Sequence, residues 1–391
     1  MGKRGNGEGS ISRRKNGGWM GQYVVHTAEG RKRRTVYGKT RKEVAGKLAK
    51  ALSDRENGLV FDAGRLTVGE YLSRWLEDSV RDTVRQCPWE RYEQLVRVQI
   101  KPALGRIKPK ALTPAHVRGL YRAKLDDRLA SRTVQYIHVT LHKALKDAVA
   151  DGLIPRNVTD AVRAPRAKGK EINALTPDQA RAFLEAADEV DDRFEALYVL
   201  AITAGLREGE LLGLKWDNLD LDAGTLSVRR TLSEARSGRF FEPPKNGKGR
   251  SIQLTKQAVE SLRIHRKRQN EERLRLGTLW EDNGLVFPAQ VGTPMNAKNL
   301  TVRSFKPLLE RAGLLNTVRV HDLRHTCATL LLGKGVHPKI VQELLGHVTI
   351  AITLDTYSHV LPNLSCPLQA TGIEWSRPTG SRRSSIRNLW A

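Results

Sequence analysis

Four short stretches in the C-terminal half of the chain hold residue types that could act together on a phosphoryl group. Tyr357, in "LDTYSHV", is the candidate nucleophile. A free phenol, with a pKa of about 10, is weak at neutral pH, and most tyrosines pack their ring and bond their hydroxyl. The remaining stretches must therefore supply its activation. In "AGLREGELLGL", Arg207 and Glu210 share one face of a helical turn, which alone would read as a surface ion pair. In "PPKNGKGRSIQL", Lys245 and Lys248 lie in a tight Gly-rich turn between two β-like segments, and either ammonium could protonate a leaving oxygen and offset its charge.

In "VHDLRHTCATLLL", His321 and Arg324 share a helical face, with His325 one turn beyond His321. The H-x-x-x-H spacing suits zinc, but a zincin needs Glu where this chain has Asp322, and Arg324 would aim a fixed cation at the metal. A histidine beside a bidentate guanidinium suits the oxygens of a phosphate better. "LLGHVTIAITLDTYSHV" adds His347, just past a helix end marked by Gly346, and Tyr357 further on, with Ile352 and Leu354 available to pack. Two arginines and two histidines around a phosphoryl group, a lysine acid and a tyrosine make one chemistry, in which nearby cations favour the phenolate. No carboxylate cluster for metal ions and no G-x-x-x-x-G-K-[ST] loop accompanies them, so the expected reaction is phosphoryl transfer with neither metal nor nucleotide as cofactor.

The elements that must position these groups are mostly helical. "LTPDQARAFLEAA" opens the last large unit with Thr176 as N-cap, Pro177 in the first turn and Gln179 completing a capping box. Helical "ALYVLAITAGLREGELLGLKW" follows, then the β-like "TLSVRRTL" and "RSIQLT", joined through "GRFFEPPKNGKG" as one small sheet, then helices to residue 360. Upstream, residues 66–162 read as an all-α domain, opened by a Thr67/Glu70 capping box and carried by "PWERYEQLVRVQI", "TPAHVRGLYRAKL" and "SRTVQYIHVTLHKALKDAVADGL". Residues 163–174 form a basic linker without apolar periodicity. Residues 1–60 read as a three-stranded antiparallel sheet followed by a helix with a Thr40/Glu43 box. Arg13, Arg14, Lys15, Arg31, Lys32, Arg33 and Arg34 place cations on or beside that sheet, and a small cationic sheet can enter a DNA groove. The fold class is thus α+β, mostly α.

Composition fits that scheme. The chain has 391 residues, 39% of them hydrophobic, enough for several cored domains. Its 67 Lys and Arg against 42 Asp and Glu give a formal charge of +25, a surplus that calls for a polyanionic partner. No apolar run is long enough for a membrane span, and "MGKRGNGEGS" lacks the apolar core of a secretion signal, so a soluble cytoplasmic protein is expected. Cys87, Cys327 and Cys366 are widely spaced and suggest neither a disulfide framework nor a cysteine zinc site.

The ordered set Arg207, Lys245, His321-Asp322-Leu323-Arg324, His347 and Tyr357, with the motifs "TAGLREGELLGL", "HDLRHTCATLLL" and "LLGHVTIAITLDTYSHV", closely resembles the tyrosine recombinases, and among them the integrases of phages and mobile elements. The resemblance covers residues 1–362 and implies site-specific cleavage and rejoining of double-stranded DNA at attachment sites, without ATP or metal. Tyr357 would form a 3′-phosphotyrosyl link and leave a 5′-hydroxyl. Arg207 and Arg324 would clamp the phosphate, His321 and His347 would support it, Lys245, with Lys248 as fallback, would act as the acid, and Glu210 would support the pocket. The resemblance also implies an arm-binding sheet module at 1–60, a core-site domain at 66–162, a catalytic domain at 175–362 and a homotetramer on DNA. It leaves room for an excisionase and a host DNA-bending protein. Relaxation of supercoils in the manner of a type IB topoisomerase, or a catalytically silent DNA-binding regulator, are the alternatives. Residues 363–391, rich in Ser, Gly, Pro and Arg, depart from the family's docking helix and are expected to be a flexible tail.

Overall fold

The computed structural model describes residues 9–15, 17–27, 30–56, 66–167, 172–245, 247 and 249–358. The expected tail at 363–391, the fallback acid Lys248 and the thiol of Cys366 lie outside the described residues. The chain divides into two units, Met1–Gly169 and Lys170–Ala391.

The first unit opens with an antiparallel sheet of β1 (Ser10–Arg13), β2 (Trp19–Thr27) and β3 (Gly30–Gly38) in the order β1-β2-β3. Helix α1 (Arg41–Glu56) covers one face, where Tyr23, Val25, Leu48 and Ala51 form a small core. The Thr40/Glu43 box closes on one side only: the Glu43 amide donates to Thr40 Oγ1 at 3.1 Å, while the Glu43 carboxylate accepts from the Lys39 amide instead, at 2.9 Å. Strand alternation divides the cations expected to act together. Arg31 and Arg33 are exposed and share a face with Tyr37, over whose ring Arg14 lies at 5.0 Å. Arg34, opposite Tyr23, falls on the helix-covered face and is half-buried. Arg13 and Lys15 are exposed, and the side chain of Lys32 lies outside what is described.

A separate helical core follows. Thr67 and Glu70 form the expected capping box at the start of α2 (Val68–Trp75). The chain continues through α3 (Gln86–Gln94), α4 (Lys101–Leu104), α5 (Pro114–Asp126) and α6 (Ser131–Ala150), with π-type turns at Leu76–Val80 and Leu95–Ile100. Leu72, Trp75, Ile100, Val117, Leu120, Ile137 and Leu141 are buried together, at the helical spacing that "SRTVQYIHVTLHKAL" carries. Gly69 lets α2 meet the end of α4 backbone to backbone: its amide bonds the Gly105 carbonyl at 3.0 Å, and a Cβ there would stand 3.1 Å from Gly105 Cα.

In the second unit, α7 (Pro177–Glu189) carries the Thr176/Gln179 capping box as expected. Helix α8 (Glu195–Ala204) is buried on every side from Ala196 to Ile202, which explains why its sequence is apolar without periodicity. After α9 (Glu208–Leu212) come β4 (Leu219–Asp220), β5 (Thr225–Val228), β6 (Thr231–Ala235), β7 (Gly238–Glu242) and β8 (Arg250–Gln253). These make two sheets, β4-β5-β8 and β6-β7, where one was expected. The strands missed were β4, only two residues long, and β7, whose "GRFFE" stands between a glycine and prolines and reads as connector. Helices α10 (Lys256–Leu276), α11 (Ala297–Leu300), α12 (Lys306–Arg311), α13 (Val320–Gly333), α14 (Pro338–Leu345) and α15 (Ile350–Tyr357) complete the unit. Its core centres on Phe183, Tyr198 and Phe305, whose ring centroids lie 5.1 to 5.8 Å apart. Cys327 is buried and Cys87, in the first unit, is half-buried; neither is in a disulfide.

Candidate active site

The site is built on the C-terminal end of α14. A helix end leaves carbonyls without intrahelical partners and carries the negative pole of the dipole. Here three consecutive carbonyls accept from three arginines of different elements. Arg250 Nε of β8 donates to Leu344 O at 2.8 Å, Arg324 Nη2 of α13 to Leu345 O at 2.7 Å, and Arg207 Nη2 to Gly346 O at 3.2 Å. Gly346 ends the helix in the left-handed region, φ 65°, as read from the sequence. Arg324 donates a second bond, from Nη1 to Gly205 O at 2.6 Å. Gly205 is itself left-handed, φ 59°, and a side chain there would meet Leu345 at 2.6 Å and Cys327 Sγ at 3.2 Å. Only glycine lets the end of α8 approach this closely.

Glu210 joins two of the arginines. It is 1% exposed, its Oε1 accepts from Arg207 Nη1 at 2.7 Å and Arg250 Nη1 at 3.1 Å, and its Oε2 accepts from Arg250 Nη2 at 2.7 Å and the Arg207 amide at 3.0 Å. Burial favours the protonated acid, but Arg250 and then Arg207 outweigh it and hold the carboxyl down at about 2. Three guanidiniums against one carboxylate leave a surplus of two positive charges on a rigid frame. Burial, then the Arg207 charge, bring the guanidinium of Arg324 down to about 10, so it stays cationic at neutral pH. These are the conditions for holding a phosphate dianion or a developing negative charge.

Helix α15 brings two side chains inward one turn apart, Thr353 and Tyr357, while Ile352 stands 42% exposed. The expectation that Ile352 would pack is therefore corrected: the inward face runs through Thr353. Thr353 Oγ1 meets His347 Nδ1 at 2.9 Å and fixes that ring. The Tyr357 ring is buried among Ala328, Leu332, Val341 and Leu345, and its hydroxyl meets His325 Nδ1 at 2.7 Å. Burial pushes the phenol up to about 12 against the pull of Arg324. Arg324 favours the phenolate as expected, but the ring's apolar seat costs the anion more than that one guanidinium returns. Burial and neighbouring positive charge act the same way on the imidazoles: His347 is lowered to about 4 by burial and Arg324, and His325 to about 4 by burial and His321. His321 is exposed, meets the edge of His325 with centroids 5.2 Å apart, and is also lowered, by packing behind its ring and by Arg324.

The sequence reading placed Arg207, Glu210, His321, Arg324, His347 and Tyr357, and all of these lie in or beside this cluster. Lys245 stands apart. It is exposed and, among the described residues, makes no hydrogen bond or ion pair. It was read as sitting in a turn between two paired strands. In the structure Val228 pairs with Arg250 and Thr231 with Glu242, and the hairpin tip lies between Ala235 and Gly238. Lys245 therefore lies in a turn on the way from β7 to β8, closed by the Gly247 amide on Pro244 O at 2.8 Å, and not at the hairpin tip. Arg250, from the same motif, was passed over although it reaches the buried carboxylate. His325 was weighed only as a zinc position. Asp322, which that reading also involved, is fully buried and caps α13, accepting from the Arg319 amide at 2.9 Å and Nη2 at 2.6 Å. Among the described residues no group of three or more His, Cys, Asp or Glu is placed to hold a metal ion.

Comparison with known proteins bears on the whole arrangement. Residues 173–363 match the phage integrase family, and residues 67–125 match the N-terminal SAM-like domain of phage integrases. A tyrosine recombinase XerC-like protein of Caldanaerobacter subterraneus subsp. tengcongensis is 31% identical over 350 residues, covering 84% of this chain and 88% of the relative. The chain belongs to the phage integrase family. It is a tyrosine-type site-specific recombinase of the integrase kind, with the mostly helical α+β fold that the sequence indicated. Among solved structures, the integrase of transposon Tn1549 in complex with circular intermediate DNA superposes with a TM-score of 0.65 at 22% identity, covering 75% of this integrase and 95% of that chain. A lambda integrase tetramer bound to a Holliday junction gives 0.58 at 20% identity, covering 96% and 99%. None of these matches favours a supercoil-relaxing enzyme or a silent regulator. Among the described residues no helix is long and apolar enough to cross a membrane.

Proposed function

We propose that Tyr357 attacks a scissile phosphate of double-stranded DNA, giving a 3′-phosphotyrosyl link and a free 5′-hydroxyl, and that reversal of this step on a new partner strand completes recombination. The observation that carries the reading is the arginine frame: Arg207 and Arg324 are locked to the end of α14 and to Gly205 as fixed cations, and the charge of Arg324 bears directly on the Tyr357 phenol. Electrostatic preorganisation of this kind needs no reorganisation when charge develops. His321 and His347 support the phosphate, Glu210 supports the frame, and Lys245 acts as the acid. The phosphotyrosyl bond conserves the energy of the diester, so the step is reversible.

The same reading assigns residues 1–60 to arm-type DNA, 66–162 to the core site, 163–174 to a basic linker and 175–362 to catalysis, in a homotetramer that passes through a Holliday junction. Integration and excision of a phage or mobile element in the bacterial cytoplasm, with an excisionase and a host DNA-bending protein, is the setting this supports. The test is incubation with a nicked suicide duplex carrying the core site, followed by denaturing electrophoresis. Wild type should form a covalent adduct and Tyr357→Phe none; equal adduct from both would remove the nucleophile. Deleting residues 1–60 should spare core cleavage yet abolish integration, and normal integration by that protein would remove the arm-binding assignment.

A further inference from the structure

The nucleophile of the proposed reaction must lose a proton, and neither His321 nor His347 is the group its hydroxyl touches. We propose that His325 is a further catalytic residue, the general base that takes the Tyr357 proton through Nδ1. The proposal rests on the assignment of Tyr357 as nucleophile and on one contact, the 2.7 Å between Tyr357 Oη and His325 Nδ1. That separation is within the range in which a proton transfers directly. Both partners are held from behind. Tyr357 is clamped by Ala328, Leu332, Val341 and Leu345, and His325 projects from α13 one residue after Arg324, so the base and the phosphate-binding guanidinium are positioned by one turn of helix.

With the single ring proton on Nε2, Nδ1 offers a lone pair and the tyrosine O–H donates to it. As Oη bonds to phosphorus and the bond from phosphorus to the 5′-oxygen breaks, the phenol proton passes to Nδ1 and the departing oxygen takes its proton from the acid on the other side. Rejoining returns the proton from Nδ1 to the phenol. The charged and titratable groups facing His325 are His321, Asp322, Arg324 and Arg319 from α13 and its cap, Tyr357 from α15, and His347 before it. In the free protein burial and these cations disfavour the imidazolium, as burial disfavours the phenolate, so the pair is silent. A phosphate between Arg207 and Arg324 reverses both tendencies: its negative charge favours the imidazolium, and bonding to phosphorus acidifies the phenol. The nucleophile is armed by its substrate.

His325→Asn tests this, because the amide oxygen can still accept from the tyrosine O–H but cannot carry the proton. Single-turnover adduct formation is measured on a nicked core-site duplex with either a normal 5′-oxygen or a 5′-bridging sulfur at the scissile phosphate. Sulfur leaves without an acid, so it relieves loss of an acid and not of a base. H325N should fall by about 10²-fold to 10⁴-fold on both substrates, while K245A should fall on oxygen alone. H325N within about threefold of wild type, or H325N restored by sulfur, overturns the proposal. Should H325N not fold, the wild-type pH profile on the sulfur substrate decides: an acid limb with a single ionisation supports the base, and a flat profile overturns it. An adduct from Tyr357→Phe would bring down the nucleophile and this proposal together, whereas strict dependence on Tyr357 with an unaffected H325N removes the proposal alone.

Discussion

Two tyrosine–histidine pairs of nearly identical geometry occur in this integrase, one in each unit. In the helical domain Tyr121 Oη meets His138 Nδ1 at 2.8 Å, and His138 stacks on His142 one turn along α6. In the second unit Tyr357 Oη meets His325 Nδ1 at 2.7 Å, and His325 meets His321 one turn earlier on α13. Both tyrosines are buried and both phenols are raised by burial. The difference lies in the surrounding charge. Burial alone acts on Tyr121, while Arg324 opposes burial at Tyr357. The second histidine also differs, since His142 turns to Asn157, Thr159 and Asp160, whereas His321 is open to solvent beside Arg324. A buried tyrosine on a histidine is by default a satisfied hydrogen bond, and in the proposed reaction the arginine frame is what would turn one of the two into a reactive centre.

The comparison can be broken most severely at the tyrosines themselves. Tyr357→Phe should abolish adduct formation, while Tyr121→Phe should lower stability by about 1 kcal/mol for one buried hydrogen bond and leave single-turnover cleavage within a few fold. Both are read on the same nicked duplex and by thermal melting. Next comes the frame. Arg324→Lys keeps a charge but cannot span Gly205 O and Leu345 O, and cleavage should fall by about 10²-fold to 10³-fold, as when one preorganised donor is lost. Retention of wild-type rate would show that charge alone suffices there.

A smaller effect is expected at Arg250. Arg250→Met leaves Glu210 to Arg207 alone and draws that guanidinium away from phosphate, with an expected loss of about tenfold. Glu210→Gln in the same chain should recover part of it, since breaking a buried ion pair costs more than removing both charges. Multiplicative losses in the double variant would argue against this coupling. The smallest effect is on pH dependence. His325 and His347 are both lowered from 6.5 to about 4, so the unfolded chain binds protons that the folded one refuses. Stability should be full above about pH 6.5 and decline as pH falls towards 4. Tyr357, raised from 10.0 to about 12, gives the opposite limb, with stability lost as pH rises through that window. Melting curves of wild type and His347→Asn should diverge on the acid side only.

Much of the site was readable before the fold, because the helix period itself places His321 beside Arg324 and Arg207 beside Glu210, and capping signals at Thr67 and Thr176 marked where helices begin. What escaped depends on contacts distant in sequence. Nothing local to Arg324 indicates that it will hold the carbonyls of Gly205 and Leu345, and nothing near His325 points to Tyr357. The net shift at Tyr357 is hidden for the same reason: cations are visible in a sequence, but the depth of the seat that a ring occupies is not. The turn that carries Lys245 was legible, but the position of the hairpin tip was not, because β7, short and flanked by Gly and Pro, hid its pairing with β6.

The central claim is that the arginine frame selects Tyr357 for chemistry over an equally well-bonded tyrosine. Its most direct test is to trap the adduct on the nicked core-site duplex, digest DNA and protein, and locate the nucleotide-bearing residue by mass spectrometry. The modification is predicted on the Tyr357 peptide, with the Tyr121 peptide unmodified; a nucleotide on any other residue would contradict it.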